Sequence, residues 1–149
     1  MLQKMGDNQT LENELRLFFD YKRKLPQIRE RLDAAQARLD TFGVSSPKIR
    51  STEEAKYRRG TPIYSDARLL ALIEERDRLQ AEVAYKTGFC VRIQAMIDSA
   101  DLSPEEMELL QYRYRDMYSL RLLGQMYCSN RTTINEQLYV IREKIGCCT

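Results

Sequence analysis

The sequence predicts an all-α protein: a long antiparallel helical hairpin followed by a C-terminal trihelical unit of helix-turn-helix type. Two long apolar stripes at helical spacing predict the hairpin arm over residues 1–100. Three short amphipathic segments, each preceded by a capping residue, predict the helix-turn-helix unit over residues 101–149.

The first predicted helix carries an apolar stripe with alternating spacings of three and four residues, interrupted only at Glu14, which puts the stripe on one face. Its members are Leu11, Phe18, Tyr21, Leu25, Ile28, Leu32, Ala35, Leu39 and Phe42. Gly43 is expected to end the helix. Because Pro26 lacks a backbone donor, we expect a kink or break near residues 24–25, or a second helix that starts at Pro26.

Residues 43–65 contain prolines, glycines, serines and threonines without a persistent period, and they carry a net charge of +3. We expect a long, basic, mobile loop there.

Asp66 is expected to cap the second helix. The stripe of that helix is Leu69, Leu72, Arg76, Leu79, Val83, Lys86, Cys90, Ile93 and Ile97. One hairpin buries one stripe per helix, so we expect a homodimer through residues 11–42 and 66–100.

The first two helices of the predicted trihelical unit have clear start signals. Ser103, Pro104 and Glu106 form the pattern of a capping box with proline at the first helical position, and that helix is expected to end near residues 116–118. Ser119 is expected to cap a short second helix over residues 120–127. Gly124 is small enough to allow close helix contact there.

The third helix is expected to start at an Asn130 cap and to end at Gly146. Its predicted buried stripe is Ile134, Leu138, Ile141 and Ile145. In helix-turn-helix proteins the N-terminal part of this helix enters the major groove of DNA. The predicted DNA contacts are Arg121, Asn130, Arg131, Thr132, Asn135, Glu136, Tyr139 and Arg142.

The residue types on this face suit base and phosphate recognition. Arg131 is suited to guanine, Asn135 to adenine and Glu136 to a cytosine amine. Thr132 and Tyr139 are suited to a phosphate or a thymine methyl group. Arg121 and Arg142 are expected to flank the groove as phosphate contacts. Residues 101–149 carry six bases and seven acids, so we expect weak binding by one copy and a need for a dimer or a DNA-bound partner.

Four short stretches of this unit resemble region four of bacterial sigma factors: residues 110–114 (LQYRY), 119–120 (SL), 123–124 (LG) and 130–134 (NRTTI). Cys128 stands where that family usually has a turn glycine. Over roughly residues 11–146 the chain is similar to small phage and prophage regulators of the ArpU and RinA type. This resemblance implies a transcription regulator that binds double-stranded DNA at a promoter, with or near RNA polymerase.

The composition argues against several other classes. The chain has no histidine and no phosphate-binding or nucleophile motif, so we expect no catalysis, metal or cofactor. No apolar run or leader indicates a membrane or secretory route, so we expect a cytoplasmic protein. The resemblance to phage and prophage regulators implies a bacterial host cell. Cys90 and Cys128 are expected to be buried, and Cys147 and Cys148 exposed.

Two other functions remain open at this stage. The helical arm and the nearly neutral C-terminal unit also suit a protein-interaction module that docks to a protein such as RNA polymerase. A phage packaging component of the small-terminase type combines similar parts, although it usually places the DNA-binding unit first.

Overall fold

The computed structural model describes residues 2–42 and 62–147, with side chains described for residues 8–42 and 66–147. All regular structure in these ranges is helical, so the all-α prediction and the long N-terminal helix pair are confirmed. The α-helices are α1 (Leu2–Phe42), α2 (Pro62–Ser99), α3 (Pro104–Leu110), α4 (Leu120–Met126) and α5 (Arg131–Gly146), and a π-helical turn (Gln111–Arg115) directly follows α3. None of these described helices is both long and apolar enough to cross a bilayer.

Helix α1 continues through Pro26 without interruption. The expected break, and the alternative of a helix that starts at Pro26, are therefore wrong. Leu25 and Ile28, on either side of the proline, are buried. Burial of such apolar side chains offsets the loss of one backbone hydrogen bond, since tertiary packing supplies most helical stability in proteins.

Helix α2 starts at Pro62, one turn before the expected cap, so the prediction of Asp66 as the capping residue is wrong. Proline suits a first helical turn because its missing N–H would have no partner there. Gly43 and the rest of the predicted loop, residues 43–61, lie outside the described residues. The predicted stripe of α2 is confirmed: all of its members are buried or half-buried, including Arg76 and Lys86.

The chain divides into two compact units: a terminal unit of residues 1–23 and 87–149, and a middle unit of residues 24–86. In the middle unit, Ile28, Ala35 and Leu79 form a small buried core, with the partly buried Leu32 and Val83 packed against it. In the same unit, Nη1 of Arg38 on α1 lies 3.5 Å from Oε2 of Glu75 on α2. Later residues of α1 therefore meet earlier residues of α2, and the two segments run antiparallel.

In the terminal unit the same two helices also pair antiparallel. Sγ of Cys90 lies 3.7 Å from the carbonyl oxygen of Phe18, and the rings of Tyr21 and Phe89 meet edge to face at 5.3 Å. Leu15 and Phe19 are buried too, although they lie outside the predicted stripe.

Helix α1 also has a second neighbour in this unit. The side chain of Leu11 lies beside Gly146 of α5, where a Cβ would be 3.7 Å from Leu11 Cδ2. A helix that packs against two partners needs a broader apolar face than a two-helix seam provides.

The predicted caps of the C-terminal helices are confirmed. Oγ of Ser103 accepts from the Glu106 amide at 3.2 Å, and Oε1 of Glu106 accepts from the Ser103 amide at 3.1 Å, which completes the capping box. Ser119 caps α4 and Asn130 caps α5, and each side chain accepts from the amide three residues further on. The first segment ends near Asp116 as expected, but its last turn is π-helical.

The connection between α4 and α5 depends on two backbone features. A Cβ on Gly124 would lie 2.8 Å from the carbonyl oxygen of Ser129, so the predicted close contact at this glycine is confirmed. Cys128 has φ of 53°, a left-handed conformation that favours glycine. Its side chain is exposed, so the expectation that Cys128 is buried is wrong, whereas Cys90 is buried and Cys147 exposed as predicted. Cys148 lies outside the described residues.

Candidate nucleic-acid interface

Helix α5 has one buried side and one exposed side. The predicted stripe is confirmed, with relative exposures of 0–2% for its four members. They are Ile134, Leu138, Ile141 and Ile145. The spacing of four, three and four residues keeps these side chains on one face. The opposite face of the helix is therefore left to polar residues.

The exposed face carries most of the predicted DNA-contacting residues. Arg131, Thr132, Asn135 and Glu136 are exposed, and their side chains have no hydrogen-bond or ion-pair partner among the described residues. Asn130 is also exposed, but its Oδ1 accepts from the Thr133 amide at 2.7 Å. Because this side-chain oxygen is used in the cap, we place Asn130 beside the exposed face rather than on it.

Tyr139 lies at the far end of this face with 36% of its surface exposed. Interaction of its hydroxyl with the nearby carboxylate of Glu143 raises the pKa of Tyr139 above its ordinary value. A carboxylate beside the hydroxyl disfavours a phosphate at the same place. The ring of Tyr139, rather than its hydroxyl, is the part offered to a partner.

The prediction that Arg142 flanks the exposed face as a phosphate contact is wrong. Its side chain is only 7% exposed. Nε donates to Oδ1 of Asn8 at 2.6 Å, and Nη1 donates to the hydroxyl of Tyr114 at 2.9 Å. A guanidinium held in this way is not available to a DNA backbone, because α5 turns it toward α1. We therefore remove Arg142 from the predicted set.

The other bases of the C-terminal region fall into two groups. Three have partners within the protein: Arg113 donates to the Tyr118 carbonyl, Arg115 pairs with Asp116, and Lys144 pairs with Glu106. By contrast, Arg121 and Arg131 are exposed, and neither has a side-chain partner in the part of the chain that the structure describes. These two arginines are the cations that remain for an external anion.

Arg131 also lies in the first turn of α5, which is an unfavourable position for a cation. The N-terminus of a helix carries a partial positive charge, so a cation there does not stabilise the helix. The first turn of α5 has no acidic residue to compensate. A negatively charged partner would relieve this unfavourable placement.

Helix α4 shows a feature that the sequence analysis did not single out. Leu122 and Met126, four residues apart on the same side, are 39% and 44% exposed. On the same helix Leu123 is buried and Leu120 is half-buried. The helical period alone does not indicate this exposure, because Met126 lies three residues after the buried Leu123 and therefore near the same side of the helix.

No family model, curated protein or solved structure matches this chain. Among the described residues, no group of three or more cysteine, aspartate or glutamate side chains could hold a metal ion.

Proposed function

We propose that this protein is a DNA-binding transcription regulator in which α4 and α5 act as a helix-turn-helix. The observation that carries the proposal is the exposed polar side of α5, whose four residues at the N-terminal end have no partners among the described residues. A regulator of the phage or prophage type that the sequence resembles, in the cytoplasm of a bacterial host, would use such a face at a promoter.

The connection between the two helices supports this assignment. Helix α4 ends at Met126 and α5 begins at Arg131, so only a few residues connect the two helices. Gly124 allows the turn to approach α4, and Cys128 takes the left-handed turn conformation. A short turn between two tightly packed helices is what this class of motif requires.

Within the proposal, each exposed residue has a role that follows from its chemistry. Arg131 donates to guanine, Asn135 pairs with adenine, and Glu136 accepts from a cytosine amine. Thr132 contacts a thymine methyl group or a phosphate. Arg121, on the preceding helix, neutralises a phosphate and fixes the position of the protein on the duplex.

A homodimer fits this weakly charged interface. The middle unit has a small buried core, and many of its apolar side chains are only half-buried: Leu32, Leu39, Phe42, Leu69, Leu72, Ile73 and Val83. A second copy would cover these residues in a four-helix bundle and would double the number of DNA contacts. A palindromic site is then expected.

Fluorescence anisotropy with DNA from the genomic neighbourhood of the gene, at low salt, tests the proposal. We expect saturable binding that Arg131→Ala and Asn135→Ala each weaken by roughly 5- to 100-fold, since one base contact contributes about 1–3 kcal/mol. Arg78→Ala is the matched control, because Arg78 is exposed on α2 in the middle unit. Binding that is the same for all four proteins would refute the proposal.

Docking to a protein such as RNA polymerase is a second candidate function. It is favoured by the exposed apolar pair Leu122 and Met126, because methionine and other apolar side chains are typical of interface cores. A pull-down with nuclease-treated host lysate, repeated with Leu122→Asn and Met126→Gln, tests it. Retention of polymerase by the unmodified protein and its loss from the variants would favour this function.

A further inference from the structure

A cavity of about 600 Å³ lies in the terminal unit, where α1, α2 and α5 meet. Residues from all three helices line it: Leu11 and Glu14 from α1, Arg92 and Met96 from α2, and Arg142 and Glu143 from α5. A volume of this size is in the range of sites for small organic molecules.

The most unusual group in the cavity wall is the buried guanidinium of Arg142. Its two hydrogen-bond partners, Asn8 and Tyr114, are both neutral, and no carboxylate of the described residues lies within 4 Å of it. Burial raises the pKa of Tyr114 and nearby Arg142 opposes that rise, so the phenol stays neutral. Burying a cation without a counter-charge costs stability.

One nitrogen of this guanidinium has no partner among the described residues. Nε and Nη1 have partners, whereas Nη2 has none. Among the described side chains no fully buried nitrogen or oxygen lacks a partner, so Nη2 must be accessible. Because Arg142 lines the cavity, Nη2 can donate two hydrogen bonds to a ligand there.

The other charges of the lining define the ligand further. Arg92 adds a second positive charge, and Glu14 and Glu143 add two negative charges, so the four groups balance. A simple anion would meet Arg142 but would be repelled by the two carboxylates. A molecule with both a carboxylate and an ammonium group satisfies both pairs, and Leu11 and Met96 offer an apolar wall to an aliphatic chain.

We propose that this cavity binds a small zwitterion, an aliphatic α-amino acid or a compound of the same chemistry. The carboxylate of the ligand accepts from Nη2 of Arg142, and its ammonium group lies toward Glu14 and Glu143. The proposal does not depend on the proposed DNA binding. Three of the lining residues belong to α5, so a bound ligand contacts the helix that carries the exposed polar face.

Titration of the full-length protein followed by amide NMR spectra tests the proposal with three matched probes. L-leucine carries both charges, 4-methylpentanoate lacks the ammonium group, and 3-methylbutylamine lacks the carboxylate. We expect leucine to give saturable shifts at cavity residues below about 10 mM, with each partial probe at least roughly tenfold weaker, or about 1.4 kcal/mol. Equal binding of leucine and either partial probe, or no saturable shift, would overturn the proposal.

Glu14→Gln and Arg92→Gln test the assignment of the charges without disturbing the buried Arg142 network. Each variant is expected to weaken leucine binding by about tenfold, which corresponds to about 1.4 kcal/mol. Arg78→Gln, in the middle unit, is expected to bind like the unmodified protein. If both cavity variants keep full affinity, the ligand does not occupy this cavity and the proposal is wrong. DNA binding can be intact in that case, so the two proposals fail separately.

Discussion

Gly124 of α4 and Ser129 of the following turn meet backbone to backbone. The Ser129 amide donates to the Gly124 carbonyl at 2.8 Å, and a Cβ on Gly124 would come to 2.8 Å from the Ser129 carbonyl oxygen. This contact brings the start of α5 against α4 and leaves no room for a side chain.

Gly124→Ala is expected to destabilise the protein by about 1–3 kcal/mol, because the clashing atom belongs to the backbone and cannot rotate away. Gly88→Ala is the matched control: nothing lies within 4 Å of its added Cβ. Alanine there should stabilise α2 by about 0.5–1 kcal/mol. Urea unfolding followed by circular dichroism measures both changes. A neutral Gly124→Ala would contradict the contact.

Cys128→Gly is expected to stabilise the protein. A non-glycine residue in the left-handed conformation costs about 1–2 kcal/mol, and the entropy of glycine in the unfolded chain offsets part of this gain. Cys128→Ala keeps the backbone strain and serves as the reference. Relative to it, Cys128→Gly should raise the free energy of unfolding by about 0.5–1 kcal/mol. Comparison of the two variants by chemical unfolding checks it. Equal stability would mean that φ at residue 128 is not positive in solution.

The buried Arg142 network predicts a large effect at Asn8. Asn8→Ala removes the acceptor of a hydrogen bond from a charged group, so we expect a loss of about 1.5–3 kcal/mol. Tyr114→Phe removes the second acceptor and should also destabilise. Gln9→Ala alters the adjacent, exposed residue and is expected to change the free energy of unfolding little. Similar values for Asn8→Ala and Gln9→Ala would exclude the network.

Glu106 predicts an acid-sensitive contribution to stability. Hydrogen bonds from Lys144 and from the Ser103 amide hold the pKa of Glu106 below its ordinary value of 4.5. A carboxylate with a lowered folded-state pKa stabilises the fold above the unfolded value and loses that contribution as pH falls through the folded value. The difference in free energy of unfolding between the unmodified protein and Glu106→Gln, about 1 kcal/mol at neutral pH, should therefore be fully present above pH 4.5 and shrink as the pH falls through the lowered folded-state pKa.

Lys144→Met separates the ion pair from the capping box. It leaves the Ser103 contacts of Glu106 in place, so it should lose less stability at neutral pH than Glu106→Ala, which removes the ion pair and the capping-box acceptor together. Unfolding midpoints measured from pH 3 to pH 7 provide the comparison. A gap between Glu106→Gln and the unmodified protein that is independent of pH would show that ionisation of Glu106 contributes nothing.

Removal of Arg121 is expected to change the salt dependence of DNA affinity rather than the base preference. A phosphate contact contributes about 0.9 to the slope of log affinity against log salt, so Arg121→Ala should lower the slope by about one per contact. Its relative affinities for different DNA sequences should stay the same. Anisotropy titrations at several salt concentrations measure this. An unchanged slope would remove Arg121 from the interface.

Much of the fold could be predicted because the informative signals were local. The capping residues Ser103, Ser119 and Asn130 mark helix starts through their own side chains, and the α5 stripe repeats at a fixed spacing. Both depend on near neighbours in the chain. The continuous helix through Pro26 could not be predicted, because the burial that outweighs a lost hydrogen bond comes from residues far away in sequence.

In the candidate site, too, some residues could be predicted from local sequence and others could not. Arg131 and Asn135 are exposed as expected, because helical period alone sets which side of α5 they occupy. Arg142 had the same polar signature, but its partner Asn8 is 134 residues away and no local pattern indicates it. The cavity is formed by three helices from distant parts of the chain, so its charged lining had no sequence signal either.

The most direct test of the DNA-binding claim is a base-preference profile, measured by selection from random duplex DNA, for the unmodified protein and for Asn135→Ala. We expect the unmodified protein to prefer a palindromic sequence. Asn135→Ala should lose discrimination at one base pair of each half-site, where adenine is preferred, and keep it at the other base pairs. Identical profiles for the two proteins, or no enrichment by either, would contradict it.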